Sequence, residues 1–234
     1  MKKLKISIIS GSRAEYGILY WIIKDLRTVK KFKINFIVSG SHLSKNFGYT
    51  IKQIKEDKIE INEKVFINVE KDTILDINKS IAQGIIGFTK VFINNKPDLI
   101  MLVGDRFETF SAAISAYTLR IPITHIHGGE ITQGAYDEGF RHSITKMSHI
   151  HFASNKIHKK RIIQLGENSK NVYVVGAPGI DNIYRLKLYN KISLEKKLKI
   201  KFVSRNLLIT LHSETLNTEK NISNINNLIE AINT

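Results

Sequence analysis

Residues 98–129, DLIMLVGDRFETFSAAISAYTLRIPITHIHGG, contain two strand patterns separated by a helical one. The apolar run 98–105 is typical of a buried strand, and the apolar residues of 107–119 recur at helical spacing. A second strand pattern follows at 123–129. A strand, a helix and a strand in this order form the unit that connects two parallel strands of a sheet. The stretch therefore predicts a parallel sheet covered by helices.

The same alternation extends to both sides of this stretch. Further strands are predicted at 5–10, 34–40, 149–154 and 171–177, and further helices at 15–29, 73–94, 138–148 and 155–165. Residues 57–72 are expected to hold one weak edge strand. The sequence thus predicts an α/β fold, a Rossmann-like parallel sheet with helices on both faces.

The pattern changes near residue 184, which predicts two domains of unequal completeness. Residues 1–184 form the first domain, and the Lys/Leu-rich stretch 185–205 is predicted to be a linker. A new strand at 206–214 and a polar helix at 216–233 follow. One strand and one helix cannot bury a sheet face alone. We therefore expect 206–234 to be the beginning of a truncated second α/β domain.

Composition excludes several classes of protein. The 234 residues include no cysteine, which rules out disulfides and thiolate metal sites and fits a reducing cytoplasm. The net charge of +15 comes from lysines spread along the chain, so we predict no nucleic-acid partner and favour an anionic small molecule. The first ten residues are expected to be a strand rather than a signal peptide, and no apolar stretch is long enough for a membrane span.

Ligands of parallel α/β sheets bind outside the carboxyl ends of the strands. The first predicted strand ends in GSRAEYG (11–17), where Gly11 permits a tight turn. The helix that follows would present free N–H groups, and Arg13 would add a positive charge. The pattern favours a phosphate or pyrophosphate site, although an ordinary strand–helix turn with a surface arginine is the alternative.

Two further strands end in carboxylates. In GDRFE (104–108), Asp105 leaves a hydrophobic strand and is either a site carboxylate or the N-cap of the next helix, while Arg106 points to the same edge as Arg13. In IHGGE (126–130), the two glycines turn the backbone and bring Glu130 to the edge. We expect a raised pKa for Glu130, as a general acid or base needs; a solvated loop carboxylate is the alternative.

The segment YDEGFRH (136–142) leads into a helix with titratable groups on two faces. Asp137 and Arg141 share one face, as a site or as a local ion pair, and Glu138 shares another with His142. The two His-Ile-His runs, at 125–127 and 149–151, are predicted to be packed or hydrogen-bonded histidines rather than metal ligands. His212, near the end of the last predicted strand, could reach across a cleft.

Together these segments resemble the hydrolysing UDP-N-acetylglucosamine 2-epimerases of sialic and legionaminic acid biosynthesis. The resemblance covers essentially the whole chain in order and spacing. It rests on the motifs GSRAEYG, GDRFET, HIHGGE, D-E-x-x-R-H-x-I-T-K-x-S-H-x-H-F, VGAPGID and LITLHSET. It implies the N-terminal half of a glycosyltransferase-B-type fold, with a UDP-sugar held in the cleft between two domains. It also implies a cytoplasmic enzyme that needs no metal or redox cofactor and forms a homo-oligomer, dimer or tetramer, at full length.

The implied reaction eliminates UDP across C1–C2 of the sugar and then hydrates the resulting 2-acetamidoglucal, which inverts C2. The product is N-acetylmannosamine or a related 2-acetamido-manno sugar. By motif, the catalytic residues are Asp105, Glu130, Asp137 and His212. The diphosphate contacts are Arg13, Gly17, Arg106 and again His212, while Arg141 and His142 support the acidic loop and Glu138 is the alternative to Asp137.

The chain is shorter than members of this family. The missing part would supply the uracil and ribose contacts, so we expect the 234-residue chain alone to be inactive. Two other interpretations stay open. One is an inactive fragment or partner-binding half of such an enzyme. The other is a glycosyltransferase of the same architecture, which would not need three carboxylates at these positions.

Overall fold

The computed structural model describes residues 2–70, 73–211 and 220–233. Within this part of the chain, seven parallel strands form one sheet in the order β3-β2-β1-β4-β5-β6-β7. The strands are β1 (Leu4–Ser10), β2 (Phe32–Ser39), β3 (Glu63–Val65), β4 (Leu99–Val103), β5 (Ile123–Ile126), β6 (Ile150–Ala153) and β7 (Val172–Val174). The predicted parallel α/β sheet is confirmed, including the weak edge strand β3.

Helices connect the strands and cover both faces of the sheet. They are α1 (Arg13–Thr28), α2 (Ile51–Glu56), α3 (Ile74–Asn95), α4 (Phe107–Thr118), α5 (Asp137–Met147), α6 (Lys156–Gln164), α7 (Asp181–Arg185), α8 (Lys191–Leu198) and α9 (Lys220–Asn233). The five helices predicted between strands are confirmed as α1, α3, α4, α5 and α6. The sequence pattern missed α2, whose six residues are too few to show a helical period.

Two apolar cores lie on opposite faces of the sheet because successive strand residues point in opposite directions. Ile8 of β1 packs with Leu19 of α1 in one core. The next residue, Ile9, packs with Phe88 and Phe92 of α3 in the other. All five side chains are almost completely buried. The strands therefore read as continuous apolar runs, as expected for a sheet with helices on both faces.

The chain reverses its direction of travel along the sheet at β1, which pairs with β2 on one side and β4 on the other. Strand order of this kind opens a crevice outside the carboxyl ends of the two strands where the reversal occurs. The turn after β1 and the turn after β4 meet at this crevice. The fold therefore brings the segments 11–17 and 104–108 together.

The predicted strand at 206–214 is wrong for the six residues that the structure describes, 206–211. They carry no strand, and Leu207 and Leu208 are 82% and 98% exposed. A strand needs a partner for its backbone hydrogen bonds, and 206–211 pair with no strand of the described chain. Residues 212–214 lie outside the described residues, as do 216–219 of the predicted helix, whose remainder is α9.

The segment after β7 returns to α1. Asn182 donates a hydrogen bond to the carbonyl oxygen of Gly17 at 3.0 Å, and Arg185 forms a two-bond ion pair with Asp25 at 2.7 Å. The Arg185 guanidinium also lies 4.1 Å from the ring centre of Trp21. No helix in the described ranges combines the length and the apolar character that a membrane crossing requires.

Candidate active site

The turn between β1 and α1 is only two residues long, Gly11 and Ser12, because α1 begins at Arg13. The helix starts with a capping box in which Ser12 and Glu15 satisfy each other's backbone N–H groups. Glu15 Oε2 accepts hydrogen bonds from the amides of Gly11 at 2.5 Å and Ser12 at 3.1 Å. Of the N–H groups of α1 that were predicted to be free, the amide of Glu15 donates to the Ser12 hydroxyl at 3.4 Å, so the prediction is wrong for that group. The prediction that Gly17 lines the loop is also wrong, since Gly17 lies within the helix.

Arg106 stands at the start of α4 and is held by a fully buried carboxylate. Its Nε and Nη2 atoms donate to the two oxygens of Glu108 at 3.2 and 3.0 Å. Although burial opposes the charge of Arg106, Glu108 raises its pKa further above the usual value. Gly40 makes room for this pair, because a Cβ there would lie 2.4 Å from Glu108 Oε1 and its φ is +54°. The arginine is thus fixed before any ligand arrives.

A second buried carboxylate, Glu15, lies beside the first. It is 5% exposed, and its Oε1 accepts a hydrogen bond from the Thr109 hydroxyl at 3.0 Å. Burial, and then the negative charge of Glu108, raise the pKa of Glu15 to about 7, although the charge of Arg106 acts in the opposite direction. The site analysis of the sequence missed Glu15 and Glu108. The Ser-x-x-Glu pattern at 12–15 was the available signal for Glu15.

Asp105 lies next to these groups and forms an ion pair with Arg141 of α5. The alternative that Asp105 caps α4 is wrong, since Arg106 occupies the N-cap position. The local pair predicted between Asp137 and Arg141 is replaced by this longer-range pair, in which Arg141 also donates to the Thr132 hydroxyl at 3.1 Å. The side chains of Arg141 and Asp105 are only 9% and 19% exposed, so this contact is a fixed part of the site.

Two carboxyl groups in this region bind protons more readily than usual. Burial raises the pKa of Asp105 in spite of the opposing charge of Arg141. Burial and then the charge of Asp105 raise the pKa of Asp137, which shows that the two carboxyl groups sense each other. A carboxyl group whose ionisation is disfavoured by burial and by a neighbouring carboxylate is suited to holding and moving a proton.

Glu130 belongs to a separate group of side chains, at the ends of β5 and β6. Its Oε1 atom is the partner of His127 Nδ1 at 2.6 Å and of the Ser154 hydroxyl at 2.7 Å, and Ser154 also bonds His158 at 2.8 Å. Burial alone would raise the pKa of Glu130, but these hydrogen bonds outweigh it and lower the pKa to about 2. The raised pKa predicted for Glu130 is therefore wrong.

Glu138 and His142 share a face of α5 as predicted, with 3.6 Å between Oε1 and Nε2. Glu138 also accepts a hydrogen bond from the amide of Thr132 at 3.1 Å. His142 Nδ1 is buried and has no hydrogen-bond partner among the described residues. The Glu138–Thr132 contact connects the loop before α5 to the helix, and the supporting role of His142 stays a prediction.

The remaining histidines of this segment are packed or hydrogen-bonded, as predicted. His125 contacts the carbonyl oxygen of Gly104 at 2.7 Å, His149 accepts from the amide of Ile123, and His151 lies 3.3 Å from Glu167. Within the described ranges, no group of three or more His, Asp or Glu side chains has the arrangement of a metal site. The last predicted site residue, His212, lies outside the described residues.

An open cleft of about 760 Å³ lies above the turns after β1 and β4. Arg13 and Arg106 both line it, as the sequence predicts, together with the hydroxyls of Ser12 and Ser41. Its apolar side is lined by Phe47, Val69, Ile77, Phe107 and Tyr136. A cleft with two guanidinium groups on one side suits a diphosphate, which accepts several charge-assisted hydrogen bonds at once.

Comparison with known proteins assigns a family to this architecture. Residues 24–234 match the family model described as UDP-N-acetylglucosamine 2-epimerase. A GDP/UDP-N,N'-diacetylbacillosamine 2-epimerase (hydrolyzing) of Campylobacter jejuni is 38% identical over 234 residues, which are 100% of this chain and 61% of that protein. The polysialic acid biosynthesis protein P7 of Escherichia coli is 40% identical over 228 residues, 97% of this chain and 58% of that protein. The chain thus spans about three fifths of the length of these relatives.

The fold also matches solved structures. A UDP-GlcNAc 2-epimerase of Methanocaldococcus jannaschii, in complex with UDP-GlcNAc and UDP, superposes with a TM-score of 0.78 at 24% identity. The match covers 98% of this chain and 62% of that one. At this identity the likeness concerns the fold, and it supports the predicted glycosyltransferase-B-type architecture for the half that the chain spans.

Proposed function

Because this chain belongs to the UDP-N-acetylglucosamine 2-epimerase family, we propose that it carries the proton-transfer groups of a hydrolysing 2-epimerase acting on a UDP-activated 2-acetamido sugar. One observation carries the proposal. Two carboxyl groups of raised pKa, Asp105 and Asp137, lie next to Arg106, which lines the same cleft as Arg13. Acid–base groups beside a diphosphate-binding surface are what elimination of UDP requires.

The proposed reaction has two steps. In the first, a carboxylate removes the C2 proton while the C1–O bond to the diphosphate breaks, which yields UDP and a 2-acetamidoglucal. In the second, water adds its oxygen to C1 while a proton is delivered to the opposite face of C2. The product is a free 2-acetamido-manno sugar. The sequence of steps conserves atoms and needs no redox partner.

The contacts suggest how the roles divide. Asp105 and Asp137 are proposed to exchange the C2 proton, and the ion pair with Arg141 fixes the position of Asp105. Arg13 and Arg106 are proposed to bind the diphosphate and stabilise the charge that grows on the leaving oxygen. Glu130 stays ionised over the whole range in which the enzyme would work, so it is proposed to hold His127 and Ser154 around the sugar rather than to donate a proton.

The sugar is proposed to be UDP-N-acetylglucosamine or UDP-N,N'-diacetylbacillosamine. The first follows from the name of the family, and the second from the Campylobacter jejuni relative, which is named for the GDP- or UDP-activated form of that sugar. The Escherichia coli relative supports a place in the synthesis of sialic-acid-type sugars. A cytoplasmic location, a homo-oligomeric assembly and a role for 206–234 as part of a second domain remain predictions.

Activity is tested by measuring released UDP and free reducing sugar with both nucleotide-sugars. The 234-residue chain is assayed alone and joined to the segment of the Campylobacter jejuni relative that it does not cover. We expect the joined protein to release both products in equal amounts and the chain alone to release none. If the chain alone released as much UDP as the joined protein, the expectation that the chain alone is inactive would be wrong. Release of UDP with the sugar attached to an added acceptor, instead of free, would contradict the hydrolysing reaction.

A further inference from the structure

Two buried carboxylates share one arginine at the carboxyl ends of β1 and β4. Glu108 is 0% exposed and takes both hydrogen bonds of the Arg106 guanidinium. Glu15 is 5% exposed and lies close enough to both for each charge to affect it, yet it forms no ion pair with any of the described residues. With all three groups ionised, the cluster carries a net charge of −1, and both of its carboxylates are buried. Such a charge is costly to hold in an apolar environment.

Within the described ranges, Arg106 is the cation whose charge acts on Glu15, and Arg13 of the same helix is exposed. The turn after β1 contributes only backbone amides, and α4 contributes Glu108 and the Thr109 hydroxyl. His42, which follows β2, contacts Ser10 at 2.9 Å and Thr50 at 2.7 Å. Burial lowers the pKa of His42 to about 4, so its ring is neutral at pH 7. From the α5 side, Asp137 adds another negative charge that acts on Arg106.

The hydrogen bonds around Glu15 can accommodate a proton without moving the backbone. The two amide donors both contact Oε2, which leaves Oε1 to carry the proton. Thr109 Oγ1 lies 3.0 Å from Oε1 and 3.5 Å from the carbonyl oxygen of Val103. A protonated Oε1 would donate to Thr109, whose own hydroxyl proton would turn to Val103. Both protonation states therefore preserve the cap of α1.

A diphosphate beside Arg106 would change this balance. Its negative charge would compete with the two carboxylates for the same guanidinium. Glu15, which lacks a direct ion pair, would be the first carboxylate to become protonated. We propose that Glu15 takes up one proton from solvent when a diphosphate ester binds beside Arg106, so that it keeps the β1–α1 turn in place and makes diphosphate affinity depend on pH. This inference rests on the proposed function, since it assumes that the diphosphate binds at Arg106. Glu15 is a positioning residue here, because it acts through Arg106 and the turn.

The test uses the methyl ester of UDP, which has no sugar to eliminate and no phosphate that titrates near neutral pH. Binding to the 234-residue chain is measured by calorimetry at pH 6, 7, 8 and 9, in two buffers of different ionisation enthalpy. We expect proton uptake on binding above pH 7 and a loss of affinity approaching about tenfold per pH unit. Glu15→Gln should abolish the uptake and flatten the profile, since the amide keeps an acceptor for the turn. The two proteins should differ least at pH 6 and most at pH 9.

Glu56→Gln, an exposed carboxylate of α2, is the matched control and should retain the wild-type pH profile. Proton uptake by Glu15→Gln equal to that of the wild type would overturn the inference and leave the diphosphate site intact. A pH-independent affinity of the wild type would do the same. Absence of ester binding at every pH would overturn both the inference and the proposed site. If Glu15→Gln does not fold, the Glu15 carboxyl carbon of the wild type is followed by NMR, and its pKa must rise when the ester is added.

Discussion

Carboxyl groups at two places on the same edge of the sheet behave in opposite ways. At the ends of β1 and β4, the pKa values of Glu15, Asp105 and Asp137 are all raised. At the ends of β5 and β6, the pKa of Glu130 is lowered to about 2. We refer to these two places as the proton-binding side and the ionised side. Both are partly buried, so burial alone does not explain the difference.

The difference lies in which groups surround each carboxyl group. A neighbouring carboxylate raises the pKa of Glu15 and of Asp137, whereas histidines and a hydroxyl lower the pKa of Glu130. On the proton-binding side, carboxylates outnumber arginines, and Glu108 takes both hydrogen bonds of Arg106. On the ionised side, a single carboxylate meets His127 and Ser154, with His158 at 3.6 Å. One edge of a sheet can therefore hold carboxyl groups of raised pKa and a permanently ionised carboxylate at the same time, which is the division of roles that the proposed acid–base chemistry requires.

The largest effect expected is on catalysis, from Asp105→Asn. The change leaves Arg141 without its ion pair and removes one member of the proton-transfer pair. We expect UDP release by the joined protein to fall about 10³-fold, within the range of roughly 10²–10⁴-fold that general acid–base catalysis contributes. Glu56→Gln serves as the control and should stay within about twofold. A loss of less than about tenfold for Asp105→Asn would mean that Asp105 does not transfer the proton. The proposed role of the proton-binding side would then be wrong.

The next effect concerns stability. Arg106→Met should leave the buried Glu108 carboxylate unpaired, but the Arg106 side chain is itself 41% exposed. We therefore expect a cost of about 1–3 kcal/mol, below that of breaking a fully buried ion pair. Arg13→Met, at an exposed position of the same cleft, should change the free energy of unfolding by less than about 0.5 kcal/mol. Urea unfolding of the two variants at pH 8 measures the difference. Equal losses in both would show that Arg106 is not the cation that holds the buried carboxylates.

The pH dependence of the free energy of unfolding should show the effect of the raised pKa of Glu15. Its pKa rises from 4.5 to about 7 on folding, so the native state binds a proton that the unfolded state has lost. The resulting stabilisation is complete below pH 4.5 and is lost as pH rises through 7, by about 3 kcal/mol. Glu15→Gln should lack this loss, whereas Glu56→Gln should show it. Parallel curves of unfolding free energy for wild type and Glu15→Gln between pH 4.5 and 8 would contradict the raised pKa.

The smallest effect is expected on the ionised side. Ser154→Ala removes one hydrogen bond to Glu130, and a hydrogen bond to a charged group is worth roughly 1.5–3 kcal/mol. Because His127 remains, we expect the pKa of Glu130 to rise by about one unit. Carboxyl carbon NMR titration measures it, with the exposed Ser143→Ala as control. An unchanged pKa would mean that the histidine alone keeps Glu130 ionised.

Most of the sheet could be predicted from the sequence, because each strand is a short apolar run bounded by polar residues. The six strong strand predictions of the first domain are confirmed as β1, β2, β4, β5, β6 and β7. The strand prediction at 206–211 failed because an apolar run forms a strand only when a neighbouring strand is available for backbone hydrogen bonds. The sequence pattern does not show whether such a neighbour exists. Helix α2 was missed for a different reason, because six residues are too few to show a helical period in the apolar residues.

The sequence could suggest candidate site residues, but it could not show which residues contact them. Asp105, Asp137 and Glu130 stand in short motifs after strands, which made them visible. Their partners come from elsewhere: Arg141 is 36 positions from Asp105, and Ser154 is 24 positions from Glu130. The pKa of a carboxyl group depends on those partners, so the direction of the shift in the pKa of Glu130 could not be predicted from its motif alone.

The most direct test of the account follows the C2 proton itself. The joined protein is incubated in D2O with UDP-N-acetylglucosamine, and separately with UDP-N,N'-diacetylbacillosamine, and the sugar is observed by proton NMR. We predict free UDP and a manno-configured sugar that carries deuterium at C2. The Asp105→Asn variant should form neither product. A product that retains its C2 proton, or deuterium incorporation that is undiminished in Asp105→Asn, would contradict the claim that the proton-binding side performs the epimerisation.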